Sequence, residues 1–422
     1  MTSEPHQRKR IFLVAPPYSG HLHPLLGIGV RLQEIADVTV ISTPRGVRAA
    51  AAAGLRGLTI LAEREPAVMA IAEPQRCVGG NPILLCRQLQ ENISLMSELQ
   101  DEFTAACRSD APDLVIADFT VPVVGLAAQE LGIPWWTTLP MPCVFETPDG
   151  PPAYLGGLLP AQSAPQRFWQ EILRRGTRAF KRLMGWIFRS ELRSLKLPYV
   201  YRPDGSEAIY SPERIFGLGL PEIEFPCRRP AHFQLIGPVI YTPPDRAAPP
   251  HFETDGRQHV LITMGTHLPH AKAAVCAAMR SIAARHPRIS FHFSGGREME
   301  AGNHCAGNFH EYPYVSYARH LHRYDLVVHH GGAGIMYFCL HHGKPAVVLP
   351  FDFDQFDNAA RLEKAGLALR VRSTAALEAA IPQALGDPAL RSRCEAMSTI
   401  VRRSDAAAHI LAELAKALKI PL

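Results

Sequence analysis

The residues between positions 327 and 370 suit the binding of a phosphate. An apolar, β-branched strand pattern is followed by a turn that contains Gly331, Gly332 and Gly334, and then by an apolar helix pattern. Glycines let the backbone turn sharply and approach a ligand closely. A helix that begins just after the turn directs free N–H groups and the positive end of its dipole at that ligand. His330 adds a side-chain donor beside the turn, so the segment predicts a phosphate cradle.

Polar side chains that suit a sugar follow the next strand of the same segment. Asp354 and Gln355 come directly after the apolar run AVVLPF and a short polar loop. Their carboxylate and amide groups match the hydrogen-bonding capacity of sugar hydroxyls. A single strand–turn–helix–strand unit therefore offers both a diphosphate cradle and a sugar clamp.

The order of these motifs resembles the donor-binding signature of the family 1 glycosyltransferases, which use nucleotide sugars and have two Rossmann-like domains, the GT-B fold. The resemblance implies an α/β protein whose donor site contains His330, the glycine turn, Asp354, Gln355 and Asn358. The matching motifs, in family order, are His330-Gly331-Gly332, Gly334, Gly343-Lys344-Pro345, Asp354-Gln355 and Asn358.

Other positions extend or depart from the donor signature. Gly265 and Thr266 resemble the family's small turn whose amide and hydroxyl touch the diphosphate. Many family members stack a Trp on uracil at the base-binding turn, whereas this chain has Tyr312 and Tyr314 there. We expect Tyr312 or Tyr314 to take that place, which leaves UDP and dTDP both open. Ile335 stands where a Ser or Thr often adds a phosphate contact.

The catalytic prediction rests on the amino-terminal half. Gly20, His21 and Pro24 match the Gly-His-x-x-Pro of the family's first loop, whose His takes the proton from the acceptor hydroxyl. The resemblance gives His21 the role of general base and gives Asp118, after the strand LVIA, the role of its carboxylate partner. A carboxylate on one imidazole nitrogen fixes the tautomer and stabilises the imidazolium. The alternatives are a hydrogen-bonded loop His and an Asp that only caps the next helix.

No metal or cofactor is expected beyond the nucleotide-sugar co-substrate. Asp352-Phe353-Asp354 has the form of a metal-binding Asp-x-Asp, in which carboxylates hold a divalent ion against a diphosphate. It follows the cradle rather than an early strand, and Asp354 is already assigned to the sugar. The helix dipole, His330 and backbone N–H groups can hold the diphosphate without an ion.

The elements that position these residues alternate between strand and helix in both halves of the chain. Such alternation predicts parallel sheets covered by helices, which bind ligands at the carboxyl ends of their strands. His21, in a loop before a helix at Leu25, and Asp118 both fall at such ends. We predict an acceptor-binding domain over 1–240, a linker over 241–258 and a nucleotide-sugar domain over 259–405. By the resemblance, a last helix within 406–422 returns to the first domain.

Composition limits the alternatives. With 422 residues, 47% hydrophobic and 20% charged, the chain matches a two-domain globular protein. No apolar run reaches the length of about 18 residues that spans a bilayer. A formal charge of +5 is mild, so nucleic acid is not an expected partner. The nine cysteines, Cys77 and Cys86 among them, form no Cys-x-x-Cys pair, which favours reduced thiols and a cytoplasmic location.

The acceptor must be bound mainly by the first domain. We expect Trp136, Met141 and Phe145 to form an apolar wall, and His23, where related loops often carry Asn, to contact the acceptor. A Pro- and Gly-containing loop at 151–157 could cover them. These residues favour a lipophilic acceptor that carries a hydroxyl.

A basic segment with aromatic residues, Arg167–Lys196, follows this loop. The favoured interpretation is an amphipathic helix that packs its aromatic residues inward and leaves its basic residues in solvent. The alternative is a peripheral contact with an anionic membrane surface, at the inner face of the membrane.

The sequence therefore predicts an inverting glycosyltransferase that moves a sugar from UDP or dTDP to a hydroxyl of a lipophilic acceptor. Two alternatives remain open. One is a nucleotide-sugar 2-epimerase, which shares the fold and needs no acceptor. The other is a subunit that binds sugar nucleotides without catalysis.

Overall fold

In the part of the chain that the structure describes, two seven-stranded sheets, each with apolar cores on both faces, form the framework of the protein. The computed structural model describes residues 8–72, 82–244, 247–266, 269–296 and 303–420. The α/β class and the GT-B arrangement predicted from the sequence are confirmed.

The first sheet is entirely parallel and uses residues of the amino-terminal half. Its strands are β1 (Lys9–Val14), β2 (Ala36–Ser42), β3 (Arg56–Thr59), β4 (Leu114–Asp118), β5 (Trp135–Leu139), β6 (Ile215–Gly217) and β7 (Phe233–Leu235). They lie in the order β3-β2-β1-β4-β5-β6-β7. The helices of this half are α1 (Ser19–Leu32), α2 (Pro44–Ala52), α3 (Glu65–Ala72), α4 (Pro82–Ser109), α5 (Pro122–Glu130), α6 (Ala164–Ile187) and α7 (Arg189–Ser194).

The second sheet is parallel except at one edge. Its strands are β8 (Gln258–Thr263), β9 (Ile289–Ser294), β10 (His304–Ala306), β11 (Phe309–Tyr312), β12 (Leu326–His329), β13 (Ala346–Val348) and β14 (Ala368–Arg370). They lie in the order β10-β11-β9-β8-β12-β13-β14, with β10 antiparallel to β11. The helices are α8 (Pro269–Arg285), α9 (Tyr317–His320), α10 (Ala333–His341), α11 (Gln355–Lys364), α12 (Leu377–Leu385), α13 (Pro388–Arg403) and α14 (Ala406–Leu418).

The first helix begins earlier than the sequence predicts. Pro24 suggested a loop up to Leu25, but α1 starts at Ser19, so His21 lies in its first turn. Proline lacks an N–H, and at this position it removes only the helical bond to the carbonyl of Gly20. The imidazole is therefore fixed by a helix rather than by a loop.

The last helix packs against the first domain. Ile410 and Leu414 of α14 are fully buried in the same apolar core as Leu25 and Leu26 of α1. An ion pair between Arg214 and Glu413, at 3.2 Å, adds a polar contact to this packing.

The aromatic residues of α6 face the opposite way from the favoured interpretation. Phe168, Trp169, Phe180 and Trp186 are exposed, whereas Gln170 on the opposite face is buried. The inward interpretation is therefore wrong for this helix, because its polar side chains hold the inner positions through hydrogen bonds and ion pairs.

The two sheets are joined by a buried ion pair. Nε of Arg361, on α11, lies 2.8 Å from Oε2 of Glu224, which follows β6 of the first sheet, and both side chains are less than a tenth exposed. A second contact joins Tyr154, whose backbone N–H donates to Asp357 Oδ2 at 2.8 Å. These contacts hold the carboxyl edges of the two sheets at fixed positions.

We predict that Arg361→Met lowers the free energy of unfolding by about 3–5 kcal/mol, because it leaves a buried carboxylate without its main partner. Urea denaturation followed by circular dichroism measures the change. The double variant Arg361→Met, Glu224→Gln should recover much of the loss. A double variant as unstable as the single one would show that the ion pair is not what stabilises this contact.

Candidate active site

A histidine–carboxylate pair lies at the carboxyl edge of the first sheet. Nδ1 of His21 lies 3.0 and 3.1 Å from the two carboxylate oxygens of Asp118, at the end of β4. Because an ionised carboxylate only accepts, Nδ1 carries the proton and Nε2 retains its lone pair. The side chain of Asp118 is fully buried, and that of His21 is 14% exposed. The pair therefore presents a basic nitrogen to the open side of the site.

Thr120 completes the environment of Asp118, and no motif in the sequence indicated this role. Its backbone N–H and its hydroxyl both donate to Asp118 Oδ1, at 2.9 and 2.5 Å. Since Thr120 follows Asp118 by two residues, the turn itself orients the carboxylate toward His21. The imidazole is also bordered by the rings of Tyr18 and Phe119.

The charge environment raises the pKa of His21 above its ordinary value. Burial lowers this pKa, but the charge and hydrogen bond of Asp118 and the charge of Asp354 together raise it by more. Asp354 belongs to the second sheet's half of the chain, where burial raises its own pKa and His21 and Asn358 lower it. The two side chains thus act on each other across the gap between the sheets.

A second group of residues forms a cradle at the carboxyl edge of the second sheet. The imidazole of His330 lies between Gly265 and Gly332. A methyl group built on Gly265 would lie 2.7 Å from Cε1 of His330, and one on Gly332 would lie 2.4 Å from Nε2. Both distances are too short for real contacts, so only glycine permits this position of the ring.

The first turn of α10 opens beside His330. Gly332 is the residue before the helix, and Gly334, in its first turn, is exposed with open space where a methyl group would lie. Gly331 has φ of +95°, its N–H donates to Nδ1 of His329 at 3.0 Å, and burial lowers the pKa of His329 to about 3. His329 is thus a buried, neutral core residue.

Asn358 ties the glycine turn to Asp354. Its amide Nδ2 donates to the carbonyl of Gly331 at 2.9 Å and to Asp354 Oδ2 at 2.7 Å. The thiol of Cys143, from the first domain, donates to its Oδ1 at 3.3 Å. The side chain of Asn358 is therefore engaged in positioning the cradle and the carboxylate.

Gln355 and Thr266 lie in the same region. Oε1 of Gln355 accepts from the backbone N–H groups of Phe351 and Asp352, so one end of the amide fixes the loop before α11. The carbonyl of Thr266 accepts from Nζ of Lys272, which also donates to the carbonyl of Gly295 at 2.7 Å. This brings a cation of α8 to the carboxyl edge, a feature that no motif in the sequence indicated.

Tyr312 does not face the site, which corrects the prediction that it binds the nucleobase. Its ring is buried beside His292, and its hydroxyl accepts from the backbone N–H of His251 at 3.0 Å. Tyr314 lies beyond the end of β11 and is half-buried. Of the two tyrosines, Tyr314 is the more exposed.

The predicted acceptor residues are also corrected. Trp136 packs in the core against Phe216, with ring centroids 5.5 Å apart, because its position in β5 points it into the first domain. Phe145 packs on Tyr210 and Phe233, and Met141 is buried in the same core. These three side chains are buried core residues and do not form the open acceptor wall that was predicted.

His23 lies away from His21 around α1. Residues two positions apart in a helix differ by about 200° around its axis, so the side chains of His21 and His23 point in nearly opposite directions. His23 packs on Tyr241, which follows β7, with ring centroids 5.7 Å apart, and burial lowers its pKa to about 4. It is a neutral packing residue, and the expected acceptor contact is not supported.

Two partly exposed aromatic residues, one of them in the loop that was expected to cover the acceptor, lie beside Asp354 and Asp357. Tyr154 is half exposed and has φ of +63°, and Phe353 is 42% exposed with φ of +53°. Both are non-glycine residues held in the left-handed region, a conformation that costs energy and is common at ligand sites. With Phe119 they supply apolar surface close to His21 and Asp354.

One group of potential metal ligands lies elsewhere, within the described ranges. Glu253, His292 and His310 offer ligand atoms within 4.8 Å of one another. Glu253 already accepts from Nε2 of His310 at 2.9 Å and Nε2 of His259 at 3.1 Å. Burial raises the pKa of Glu253, but hydrogen bonds from its own backbone, Ser290 and His259, together with the charge of His310, lower it to about 2. The group joins the segment before β8 to the second sheet as a hydrogen-bonded network.

Known proteins share this arrangement. Residues 291–419 match the family described as Erythromycin biosynthesis protein CIII-like, C-terminal domain. Zeaxanthin glucosyltransferase of Pseudescherichia vulneris is 26% identical over 406 residues, covering 90% of this chain and 91% of that protein. The solved glycotransferase of kitacinnamycin has a TM-score of 0.75 at 21% identity, covering 98% of this chain and 100% of its own. Glycosyltransferase VinC, solved with DTDP, has a TM-score of 0.64 at 18% identity, covering 97% and 100%.

This chain is a glycosyltransferase with the GT-B fold, and it is similar to glycosyltransferases of natural products. Among the residues that the structure describes, no helix of this glycosyltransferase has the length and apolar character needed to cross a bilayer. The seven cysteines whose side chains are described are free thiols. Cys77 lies outside the described residues, as does the side chain of Cys86.

We predict that Asp118→Asn lowers the pKa of His21 below its ordinary value, because burial of the imidazole persists while the carboxylate charge is lost. NMR titration of the imidazole measures this change. The raised pKa also means that the pair stabilises the fold fully below about pH 6.5, the ordinary pKa of His, and that this stabilisation is lost as pH rises through the folded pKa. An unchanged pKa in the variant would contradict the assigned electrostatic role of Asp118.

Proposed function

We propose that this glycosyltransferase transfers a sugar from UDP or dTDP to a hydroxyl of a lipophilic acceptor, with inversion and with His21 as the general base. One observation carries the proposal. The His21–Asp118 pair lies at the carboxyl edge of the first sheet. Asn358, which donates to the Asp354 carboxylate at 2.7 Å, also accepts from the Cys143 thiol of the first domain at 3.3 Å, so Asp354 is held where the two domains meet. The opposite effects of His21 and Asp354 on each other's pKa agree with this placement. An acceptor hydroxyl and a donor sugar between them would be brought together by opposite sides of one gap.

The transfer is written as one displacement. Nε2 of His21 takes the proton of the acceptor hydroxyl as its oxygen forms a bond to the anomeric carbon. The bond from that carbon to the phosphate oxygen breaks, and the nucleoside diphosphate leaves with the electron pair. Asp118 stabilises the imidazolium formed in this step. Orientation of both substrates and stabilisation of the departing diphosphate supply most of the rate.

His330, Gly265, Thr266 and the first turn of α10 are the proposed diphosphate contacts. The positive end of the helix dipole and its free N–H groups favour this charge. Lys272 adds a nearby cation held at the same edge by two carbonyls. Tyr314 is the proposed base contact in place of Tyr312. A dTDP donor is supported by VinC, a structural neighbour solved with DTDP.

Asp354 and Gln355 are the proposed sugar contacts. The carboxylate of Asp354 is oriented by Asn358, and the amide of Gln355 is oriented by the loop before α11. We propose that no divalent ion takes part, because helix dipole, imidazole and ammonium groups already oppose the diphosphate charge. The free thiols support a cytoplasmic location.

A lipophilic acceptor is supported by the apolar rings of Phe119, Tyr154 and Phe353 around the gap. It is also supported by the relative named zeaxanthin glucosyltransferase.

The test is incubation with UDP- or dTDP-glucose and a panel of hydroxylated aglycones in the presence of EDTA. Mass spectrometry should detect an acceptor that has gained one hexose, and the anomeric configuration should be inverted. A free sugar epimer without any glycosylated acceptor would contradict the proposal.

We predict that His21→Ala lowers turnover by about 10²-fold or more, because the acceptor loses its general base. Nucleotide affinity, measured by calorimetry, should be unchanged. In the native enzyme the rate should rise with pH through the raised pKa of His21, since only the neutral imidazole accepts a proton. Near-normal turnover in the variant would exclude His21 as the base.

We predict that Gly334→Ala weakens binding of dTDP or UDP about ten-fold, equivalent to about 1.4 kcal/mol, because its methyl group enters the proposed diphosphate space. The fold should not suffer, since the position is open in the free protein and alanine favours a helix. Gly176→Ala, in α6, is the matched control because it also meets open space. Equal nucleotide affinity in both variants would contradict the cradle.

A further inference from the structure

Helix α6 presents an apolar face to the outside of the molecule. Six large side chains, which we call the outer stripe, recur at intervals of three, four or eight positions. They therefore lie on one side of the helix. Each is 43–70% exposed, although a surface helix normally buries such a stripe. The outer stripe consists of Phe168, Trp169, Ile172, Phe180, Leu183 and Trp186.

The opposite face of α6 is held against the protein by polar contacts. Nη1 of Arg174 donates to the carbonyl of Gly150 at 2.9 Å. Nζ of Lys181 lies 2.6 Å from a carboxylate oxygen of Glu207 and 3.1 Å from one of Glu146, and both carboxylates are largely buried. Rotating the helix to bury its aromatic residues would break these ion pairs and leave charges unpaired. The outward orientation is therefore a fixed property of the fold.

Positive charge borders the outer stripe. Arg175 and Arg182 are exposed on one side of it, and the guanidinium of Arg189 lies 5.0 Å from the ring of Trp186. The segment from 167 to 196 has nine basic residues and two acidic ones. An apolar, tryptophan-containing face with arginines at its edge has the composition of helices that lie in a membrane interface.

We propose that α6 docks on an anionic lipid bilayer, with the outer stripe in the boundary between headgroups and acyl chains and its arginines among lipid phosphates. The charge complementarity selects this occupant, because a cationic rim around aromatic residues matches a negative lipid surface. The docked helix lies parallel to the membrane and does not cross it.

The position of α6 connects this docking to the acceptor, a step that rests on the proposed function. The loop before α6 reaches the second domain at two points: the Tyr154 N–H donates to Asp357, and Arg370 donates to the carbonyl of Gly157 at 3.0 Å. This loop therefore connects the docked helix to α11, whose first turn follows Asp354. An acceptor dissolved in the bilayer would reach His21 without crossing bulk water.

The four tryptophans provide a built-in probe. Trp135 and Trp136 are buried in the core, whereas Trp169 and Trp186 belong to the outer stripe. Titration of the full chain with vesicles of equal parts phosphatidylglycerol and phosphatidylcholine should shift tryptophan emission to shorter wavelength. Brominated acyl chains should quench that emission. Pure phosphatidylcholine vesicles and high salt should weaken both effects, because the attraction is partly electrostatic.

Matched variants separate the outer stripe from general surface properties. Arg175→Ala with Arg182→Ala should lower vesicle partitioning about 30-fold, at about 1 kcal/mol for each arginine. The control removes two exposed arginines of α2, through Arg45→Ala and Arg48→Ala, and should leave partitioning within about two-fold, which is about 0.4 kcal/mol. Phe168→Ser with Leu183→Ser should abolish quenching, whereas Leu131→Ser with Ile400→Ser, exposed apolar residues elsewhere, should not.

Two results would overturn the docking proposal. Vesicle binding unaffected by the stripe variants would place the lipid contact elsewhere. Absence of vesicle binding together with a dimer that Phe168→Ser and Leu183→Ser dissociate, measured by sedimentation velocity, would assign the stripe to a second copy of the chain. These measurements need no substrate, so their outcome does not depend on whether the proposed transfer activity is correct. A stripe variant that loses activity only on vesicle-bound acceptors would support the acceptor route.

Discussion

The arrangement of this protein depends on the buried ion pair between Arg361 and Glu224, which fixes how the carboxyl edges of the two sheets meet. Neither charge has enough solvent around it to be stable alone. The helix that carries Arg361 begins next to Asp354, so the contact that joins the domains also positions the proposed sugar carboxylate. As a result, the His21–Asp118 pair of one sheet and the cradle of the other face a common gap. Each sheet therefore supplies its own set of reactive groups, and the two sets meet only at the gap.

Glycine determines the shape of the cradle. The ring of His330 occupies space that a side chain at either Gly265 or Gly332 would fill. The first turn of α10 stays open at Gly334, so backbone N–H groups can approach a ligand closely. Asn358 then links this turn to Asp354 and, through Cys143, to the first domain. Hydrogen bonds within the protein thus position the proposed donor side of the gap, which lowers the cost of ordering these groups around a ligand.

Helix α6 shows that amphipathic periodicity does not by itself say which face is buried. A helix with an apolar face normally turns it inward, because burial of apolar surface stabilises the fold. Here Glu146 and Glu207 lie beneath the helix and pair with its basic side, so the apolar side remains outside. These carboxylates are distant from α6 in the sequence, and only the folded chain brings them under it.

The sequence by itself determined the α/β class, the positions of Asp118 and His330 at the ends of strands, and the glycine turn, because these depend on local patterns and an ordered set of motifs. It placed His21 in a loop, whereas the structure places it in the first turn of α1. Short strands such as β6, β7 and β14 show no clear alternation of apolar and polar residues in the sequence. They are recognised as strands only by their pairing with neighbouring strands. Tertiary packing also decided that Trp136 and Phe145 are core residues, that Tyr312 bonds to a backbone N–H, and that Thr120 and Lys272 join the site. Spacing predicts which residues share an element, whereas burial depends on which distant element covers them.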